Sequence, residues 1–398
     1  MYKRLANASI IILLVVLLLI GTHFANVADA IPTVTLPEIT IASNGSIQSS
    51  LNPSPIVNEG NMYVITENIS GYGIDIKCSN ILLLGEGNTL QATVYNNVNA
   101  GITIDANGVK IENVSIIAFY VGIDVKRSSN TVTGCTISAY DDGINVEGQS
   151  NLITENQILN CGGSGIDLFG SENNVNANTI NCNDGVCITV NGNTNIVSKN
   201  LLISGTFDVW MYGNNNHVTE NTMTGGSHGI IFYDPATANT VDKNDIINNY
   251  EGIGLDEQVN TFYLNNLINN TYNVRLRIFS DPYAPYSMNV FDNGSVGNYW
   301  SDYTAKYPNA QEIGASGVYN TAYVIVGNIT DKYPLTNPHT IGSTGAQLSA
   351  ISPNSTLSPS PSVPELSWLD IVPLLLSLFF VAVVLRQRKA SILNKVAN

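Results

Sequence analysis

The sequence predicts an all-β chain wound as a parallel β-helix solenoid, on three observations. Charged residues make up only 12% of the 398, where about a quarter is usual. Asn, Gly, Thr, Ile and Val take their place, a mixture poor for helices and suited to strands and turns. Apolar and polar residues alternate in short runs, as in NLITENQILNCGGSGIDLFGSEN (151–173), with no helical stripe. That run then returns: Asn130, Asn151, Asn173, Asn195, Asn216, Asn239 and Asn260 open successive copies 21 to 23 residues apart, and a fixed period of this length marks a solenoid.

Within each copy the second residue after the Asn is apolar (Val132, Ile153, Val175, Val197, Val218, Val241, Phe262). The fifth is Cys135 and then Asn156, Asn178, Asn200, Asn221, Asn244 and Asn265. Ile137, Ile158, Ile180, Leu202, Met223, Ile246 and Leu267 follow two further on. Between copies stands a Gly-Ile-like pair, read at Gly122-Ile123, Gly143-Ile144, Gly165-Ile166, Gly185-Val186, Asp208-Val209, Gly229-Ile230, Gly252-Ile253 and Asn273-Val274. Leucine-rich repeats would need Leu at most of these places, and a propeller blade about twice the period. Stacked coils ~4.8 Å apart align the inward Ile and Val in columns. The repeated Asn is structural on this reading: an amide with two donors and an acceptor satisfies itself against the coils above and below.

Taken in order, residues 1–30 read as a secretory signal, with Lys3 and Arg4, the apolar run 9–21 and Ala28-Asp29-Ala30; an uncleaved anchor is the alternative. Residues 31–70 form an N-terminal segment and cap, 71–280 the β-helix, and 281–340 a closing segment. Residues 341–365, rich in Ser, Thr and Pro, read as a stalk. LSWLDIVPLLLSLFFVAVVL (366–385) is long enough for one membrane crossing. The basic tail that follows (386–398) places the rest on the outer side. The expected location is therefore the cell surface. Asn-x-Ser/Thr triplets at Asn44, Asn68, Asn113, Asn269, Asn293, Asn328 and Asn354 are compatible with export. Net charge is −15, and between residues 31 and 365 there are 10 basic and 29 acidic residues. Such a surface repels phosphate backbones and excludes nucleic acid as a partner.

The Asn-x-Val-x-x-Asn and Gly-Ile repeats resemble those of NosD-like and pectin-lyase-like proteins. NVFDNGSVGNYWSDY (289–303) and TAYVIVGNITDKYPL (321–335) resemble the block that closes NosD-like surface proteins, archaeal ones in particular. The resemblance spans roughly residues 57–338 and implies a right-handed β-helix. It also implies copper and the assembly of a copper reductase. Outside the signal, however, three His (217, 228, 339) and four Met (62, 211, 223, 288) form no cluster of the kind copper prefers. The loop between the two blocks is often Asp-rich in that family and suggests Ca²⁺. Here residues 304–320 hold Glu312 as their only carboxylate, so no calcium site carries over. No metal site and no cofactor are expected.

The outer face supplies the candidate site. One outward column is read as Lys126, Glu147, Phe169, Thr189, Tyr212, Tyr233 and Asp256. Beside it come Thr103, Asp124, Asn145, Asp167, Cys187, Trp210, Ile231, Gly254 and Arg275. Asp142, Asp184, Asp208 and Glu251 stand at turns before the Gly-Ile-like pairs. Rings that stack on sugar faces beside acids that accept hydroxyl bonds suit a glycan. The expected ligand-binding set is therefore Asp142, Asp167, Phe169, Asp184, Trp210, Tyr212 and Tyr233, with polysaccharide as partner; a solvated sheet face is the plainer alternative. No catalytic residue is expected. Tyr140-Asp141-Asp142-Gly143 and Ser227-His228-Gly229 resemble polygalacturonase motifs, but Asp142 and His228 lie four coils apart, ~19 Å by the stacking distance, beyond the reach of glycosidase pairs. Asp124 with Asp142 remains a pair on neighbouring coils. Cys161 and Cys182 hold nearly equivalent places one coil apart, open to a disulfide or to two free thiols. The reading is a membrane-anchored, non-catalytic scaffold or adhesin that holds polysaccharide; a carbohydrate lyase or hydrolase and a copper-handling accessory protein are its alternatives.

Overall fold

A computed structural model describes residues 36–93, 99–183, 185–256, 259–276 and 288–340. The leader, stalk, membrane segment and tail read from the sequence lie outside them, as does Asp184. Among the described residues no helix is long and apolar enough to cross a membrane.

Three parallel sheets run the length of the solenoid, and each lap contributes one strand to each. We call them A, B and C, in the order in which a lap such as 144–159 visits them: Ile144–Val146, Leu152–Thr154, Gln157–Leu159. The register places like on like. In sheet A, Ile102, Ile123, Ile144, Ile166, Ile188, Val209, Ile230 and Ile253 are vertical neighbours. Val132, Ile153, Val175, Val197, Val218 and Val241 form the column of sheet B, and Ile137, Ile158, Ile180, Leu202, Met223 and Ile246 that of sheet C. All are fully buried. Each contributes about 1.5–3 kcal/mol by leaving water, which no single lap could collect alone.

Two asparagine ladders line the corners on either side of sheet B. In one, the backbone N–H of Asn156 donates to Asn178 Oδ1 (3.0 Å), that of Asn178 to Asn200, and so on through Asn221, Asn244 and Asn265 to Asn298. Each Nδ2 also reaches a carbonyl of the lap below, as Asn200 does to Val175 O at 3.0 Å. The second ladder runs Asn130, Asn151, Asn173, Asn195, Asn216, Asn239, Asn260, Asn289. The corners are sharp. Glu155, Ala177, Lys199, Glu220, Lys243 and Leu264, each just before a ladder Asn, hold φ of 55–58°. That left-handed conformation costs roughly 1–2 kcal/mol in a residue bearing Cβ, and the ladder bonds offset it. Cys135 takes the first rung of one ladder and is buried.

The strands Glu38–Ile41 and Met62–Ile65 already join sheets A and B, and Tyr63 ties the N-terminal turn by donating to Gly45 O (2.7 Å). At the far end Tyr299–Trp300 pairs with Asn266–Leu267. Beyond it come a short helix, Tyr303–Lys306 (α1), and the hairpin Tyr323–Val326 with Ile329–Asp331. Trp300 stacks on Tyr323 at 4.1 Å, and Tyr303 on Tyr319 at 4.1 Å. Asp331, fully buried, accepts from Asn298 N (2.7 Å), Trp300 Nε1 (2.8 Å) and Tyr333 N (2.9 Å).

One lap departs from the sequence reading. Ser164 pairs with Val186 and Ile166 with Ile188, so the Gly-Ile-like pair of that lap is Cys187-Ile188, not Gly185-Val186. Cys187 is buried in the core rather than on the outer face, and Asp208 above it is likewise fully buried instead of standing at an outer turn. At this place a side chain is hard to fit: a Cβ on Gly143 would lie 2.5 Å from Gly165 O. The two laps with Cys187 and Asp208 make room by other means.

Candidate functional site

The outer surface of sheet A carries three columns. In the first, Ser164, Val186, Phe207, His228, Glu251 and Tyr272 are stacked. In the second, Thr103, Asp124, Asn145, Asp167, Thr189, Trp210, Ile231, Gly254 and Arg275 follow. Thr189, not Cys187, therefore joins Asp167 to Trp210. Leu168, Val190, Met211 and Phe232 are paired inside. One residue on, the third column reads Phe169, Asn191, Tyr212, Tyr233, with Asn191 in the place given to Thr189.

On two adjacent laps the rings meet. Phe207 lies 4.9 Å from Trp210, and Trp210 lies 5.2 Å from Tyr212 and 5.7 Å from Tyr233. Tyr212 and Tyr233 stack at 5.5 Å, and Phe207 stacks on His228 at 4.9 Å. The rings are half-buried by one another, each keeping part of its surface open. Trp210 Nε1 is enclosed and meets no acceptor. Three of the expected residues, Trp210, Tyr212 and Tyr233, are thus brought into one patch. Phe169 stands apart from it, two laps below Tyr212, with 56% of its surface exposed. Phe207 and His228 belong to the patch and were missed, because the position before the Gly-Ile-like pair was read as a turn and not as an outward column of the strand.

Below the rings the carboxyls gather. Asp142 Oδ1 accepts from Ser164 N (2.8 Å), and Asp167 Oδ1 from Asn191 Nδ2 (2.9 Å). Ser164 and Thr189 share a hydroxyl bond of 2.7 Å between them. Burial, then the charge of Asp142, pushes Asp167 up to about 7; burial, aided by Asp141, raises Asp142 as well. Asp124, raised by burial, is engaged elsewhere: it accepts from Asn145 Nδ2 (3.1 Å) and lies 3.5 Å from Lys126. The acid that Asp142 influences is Asp167, and Asp124 faces Asn145. Further down, Glu38, Asp75, Asp124 and Lys126 line a 280 Å³ hollow on the same face. Above the rings the buried carboxylate of Glu251 lies 3.8 Å from both His228 Nε2 and Arg275 Nη1.

Two family models match the sequence in tandem. Residues 79–208 match a right-handed β-helix region, and residues 191–305 match NosD, described as a periplasmic copper-binding protein. The chain is a NosD-like β-helix repeat protein. No curated protein matches it. Among solved structures, Dettilon tailspike protein is similar at 14% identity and TM-score 0.42, over 60% of this chain and 60% of that one. The periplasmic alginate epimerase AlgG is similar at 15% identity and TM-score 0.41, over 60% and 72%. The catalytic domain of a GH87 α-1,3-glucanase in complex with nigerose gives 13%, 0.44, 65% and 63%. These likenesses concern the fold alone.

The residues of this NosD-like chain do not fit the copper of the family's description. Among the described residues no three His, Cys, Asp or Glu side chains converge as ligands. His217 Nε2 is bonded to Asp242 Oδ1 (2.8 Å) and His228 Nδ1 to Thr206 O (3.0 Å), while Met211 and Met223 are sealed in the core.

Proposed function

We propose that this NosD-like β-helix is a non-catalytic cell-surface scaffold, anchored by the segment at 366–385, that binds polysaccharide along the outer face of sheet A. The observation that carries this reading is the patch of Phe207, Trp210, Tyr212 and Tyr233 on two adjacent laps, on the same face as Asp167, two laps below Trp210, and Asp142, one lap further down. Partly open rings in contact offer flat apolar area at little entropic cost. Half-buried carboxyls below them supply acceptors for sugar hydroxyls. The strip runs along the solenoid axis, so an extended polymer meets rings and acids in succession.

Affinity electrophoresis of the protein against a panel of polysaccharides tests this. Trp210→Ala and Tyr212→Ala should each abolish most of the retardation given by the bound glycan, while Gln157→Ala on sheet C leaves it unchanged. Retardation unaltered in both ring variants would refute the assignment. One observation favours a second reading: Asp167 is held up to about 7 beside Asp142, and a carboxyl kept protonated near neutrality is what a general acid needs. A hydrolase predicts reducing ends released from the bound glycan, lost in Asp167→Asn. Binding without new ends dismisses it.

A further inference from the structure

Cys161 and Cys182 face the interior at the corner between sheets C and A, and both are buried. Their sulfurs can be located against the glycines of that corner. Cys161 Sγ lies 3.2 Å from the place of a Cβ on Gly143, and Cys182 Sγ lies 3.0 Å from that of Gly165. Gly143 and Gly165 are vertical neighbours: Gly143 N donates to Ser164 O (2.9 Å), and a Cβ on Gly143 would press on Gly165 O. The two sulfurs therefore sit one lap apart on the same inner line. Strand spacing of ~4.8 Å puts the backbones of such residues within disulfide reach. The neighbouring Cys161 thiol, with burial, drives the Cys182 thiol far above its ordinary range. Cys187, the third thiol nearby, is turned to other partners: its Sγ reaches Ile180 O and Ile203 O at 3.9 Å and Asp208 Oδ1 at 3.8 Å.

We propose that Cys161 and Cys182 are a cross-linking site, joined by a disulfide that staples two successive laps directly behind the carboxyls of the outer face. The chain between them is one lap, so the bond closes a loop that the unfolded chain must otherwise leave open, and it stabilises chiefly by that constraint. It also fixes the entry to sheet A. Ser164, which donates to Asp142, is three residues beyond Cys161. In the step itself the two thiols give up two protons and two electrons and one S–S bond forms. A small disulfide, or the disulfide of an oxidase, is reduced to two thiols through a mixed disulfide. Both thiols are buried in the folded chain, and the raised Cys182 thiol is a poor nucleophile there, so the bond forms while the laps are stacking and is shielded once they have stacked.

The test uses the full chain, reduced and unfolded, then refolded with either a glutathione redox couple or excess reductant. Free thiols are trapped with a maleimide in denaturant, and the chain is cut with Asp-N. Cleavage at Asp142, Asp167, Asp184 and Asp208 puts Cys161, Cys182 and Cys187 on three separate peptides. After oxidative refolding the peptide with Cys161 should be joined to that with Cys182, with Cys78, Cys135 and Cys187 labelled. The oxidised protein should melt several degrees above the reduced one. That difference should vanish in Cys161→Ser and persist in Cys187→Ser. Five labelled cysteines after oxidative refolding, or a bond between Cys182 and Cys187, overturns the proposal.

Discussion

Replacing Asn200 by Ala removes one rung from the middle of a ladder. The Asn200 Oδ1 accepts from Asn178 N (2.9 Å) and Asn178 Nδ2 (3.0 Å), and its Nδ2 donates to Val175 O (3.0 Å) and Asn221 Oδ1 (2.9 Å). Two of these neighbours keep other bonds. Asn178 Nδ2 still reaches Ile153 O and Asn176 O, and Asn221 Oδ1 still accepts from Asn200 N. Asn178 N–H loses its acceptor at the edge of the core, whereas Val175 O lies in a paired strand of sheet B and keeps its place in that ladder. At about 1–3 kcal/mol for a buried group left unmet, the loss is roughly 1–3 kcal/mol. A domain stable by about 5–15 kcal/mol would lose part of its margin. Urea unfolding followed by tryptophan fluorescence and far-UV circular dichroism measures it, with Gln157→Ala, an exposed strand residue of sheet C, expected within about 0.5 kcal/mol of the parent. A loss below 1 kcal/mol for Asn200→Ala would refute the view that the ladder holds the corners.

Burial holds the Asp208 carboxyl far above its ordinary value. A raised folded pKa gives stability that is present below about pH 4 and lost as pH rises toward that pKa, so Asp208→Asn should be more stable than the parent at pH 8 and little different at pH 3.5, read as melting temperature. Asp167, raised to about 7 by burial and then by Asp142, gives the same sign over a nearer window: the parent should lose stability between about pH 4 and 7, and Asp167→Asn should lose less. Asp331→Ala removes the acceptor of three buried donors. A cost of several kcal/mol is expected, with proteolysis in 288–340 preceding cleavage of the laps; unchanged protease resistance would count against its capping role.

The solenoid was legible because its geometry turns a period in the sequence into a vertical contact. Ile144 and Ile166 look alike because they touch, and Asn156 and Asn178 because each completes the other. What the period could not give was the frame of a lap that breaks its own pattern. Gly185-Val186 has the letters of the inner pair, yet the backbone places Cys187-Ile188 there: the lap from Ile166 to Ile188 is as long as the one from Ile144 to Ile166, and it carries Cys where the two laps before it carry Gly. That slip misplaced Thr189 and Cys187 and left Asn191 out of its column, while Phe207 and His228 were missed because the position before the inner pair was read as a turn. The inward turn of Asp208 was illegible for another reason: an acid where glycines recur argues for the surface by composition, and only packing shows it enclosed. Trp210, Tyr212 and Tyr233 were found because their own laps keep the frame.

Asp331 stands where the asparagine ladder would ask for another asparagine. Each rung offers its backbone N–H upward, and an uncapped last rung would present that offer to any chain able to extend the stack. A carboxylate takes the N–H of Asn298 and has none to pass on. This ladder therefore closes on an acceptor with nothing left to donate, which removes one point at which end-to-end addition could begin.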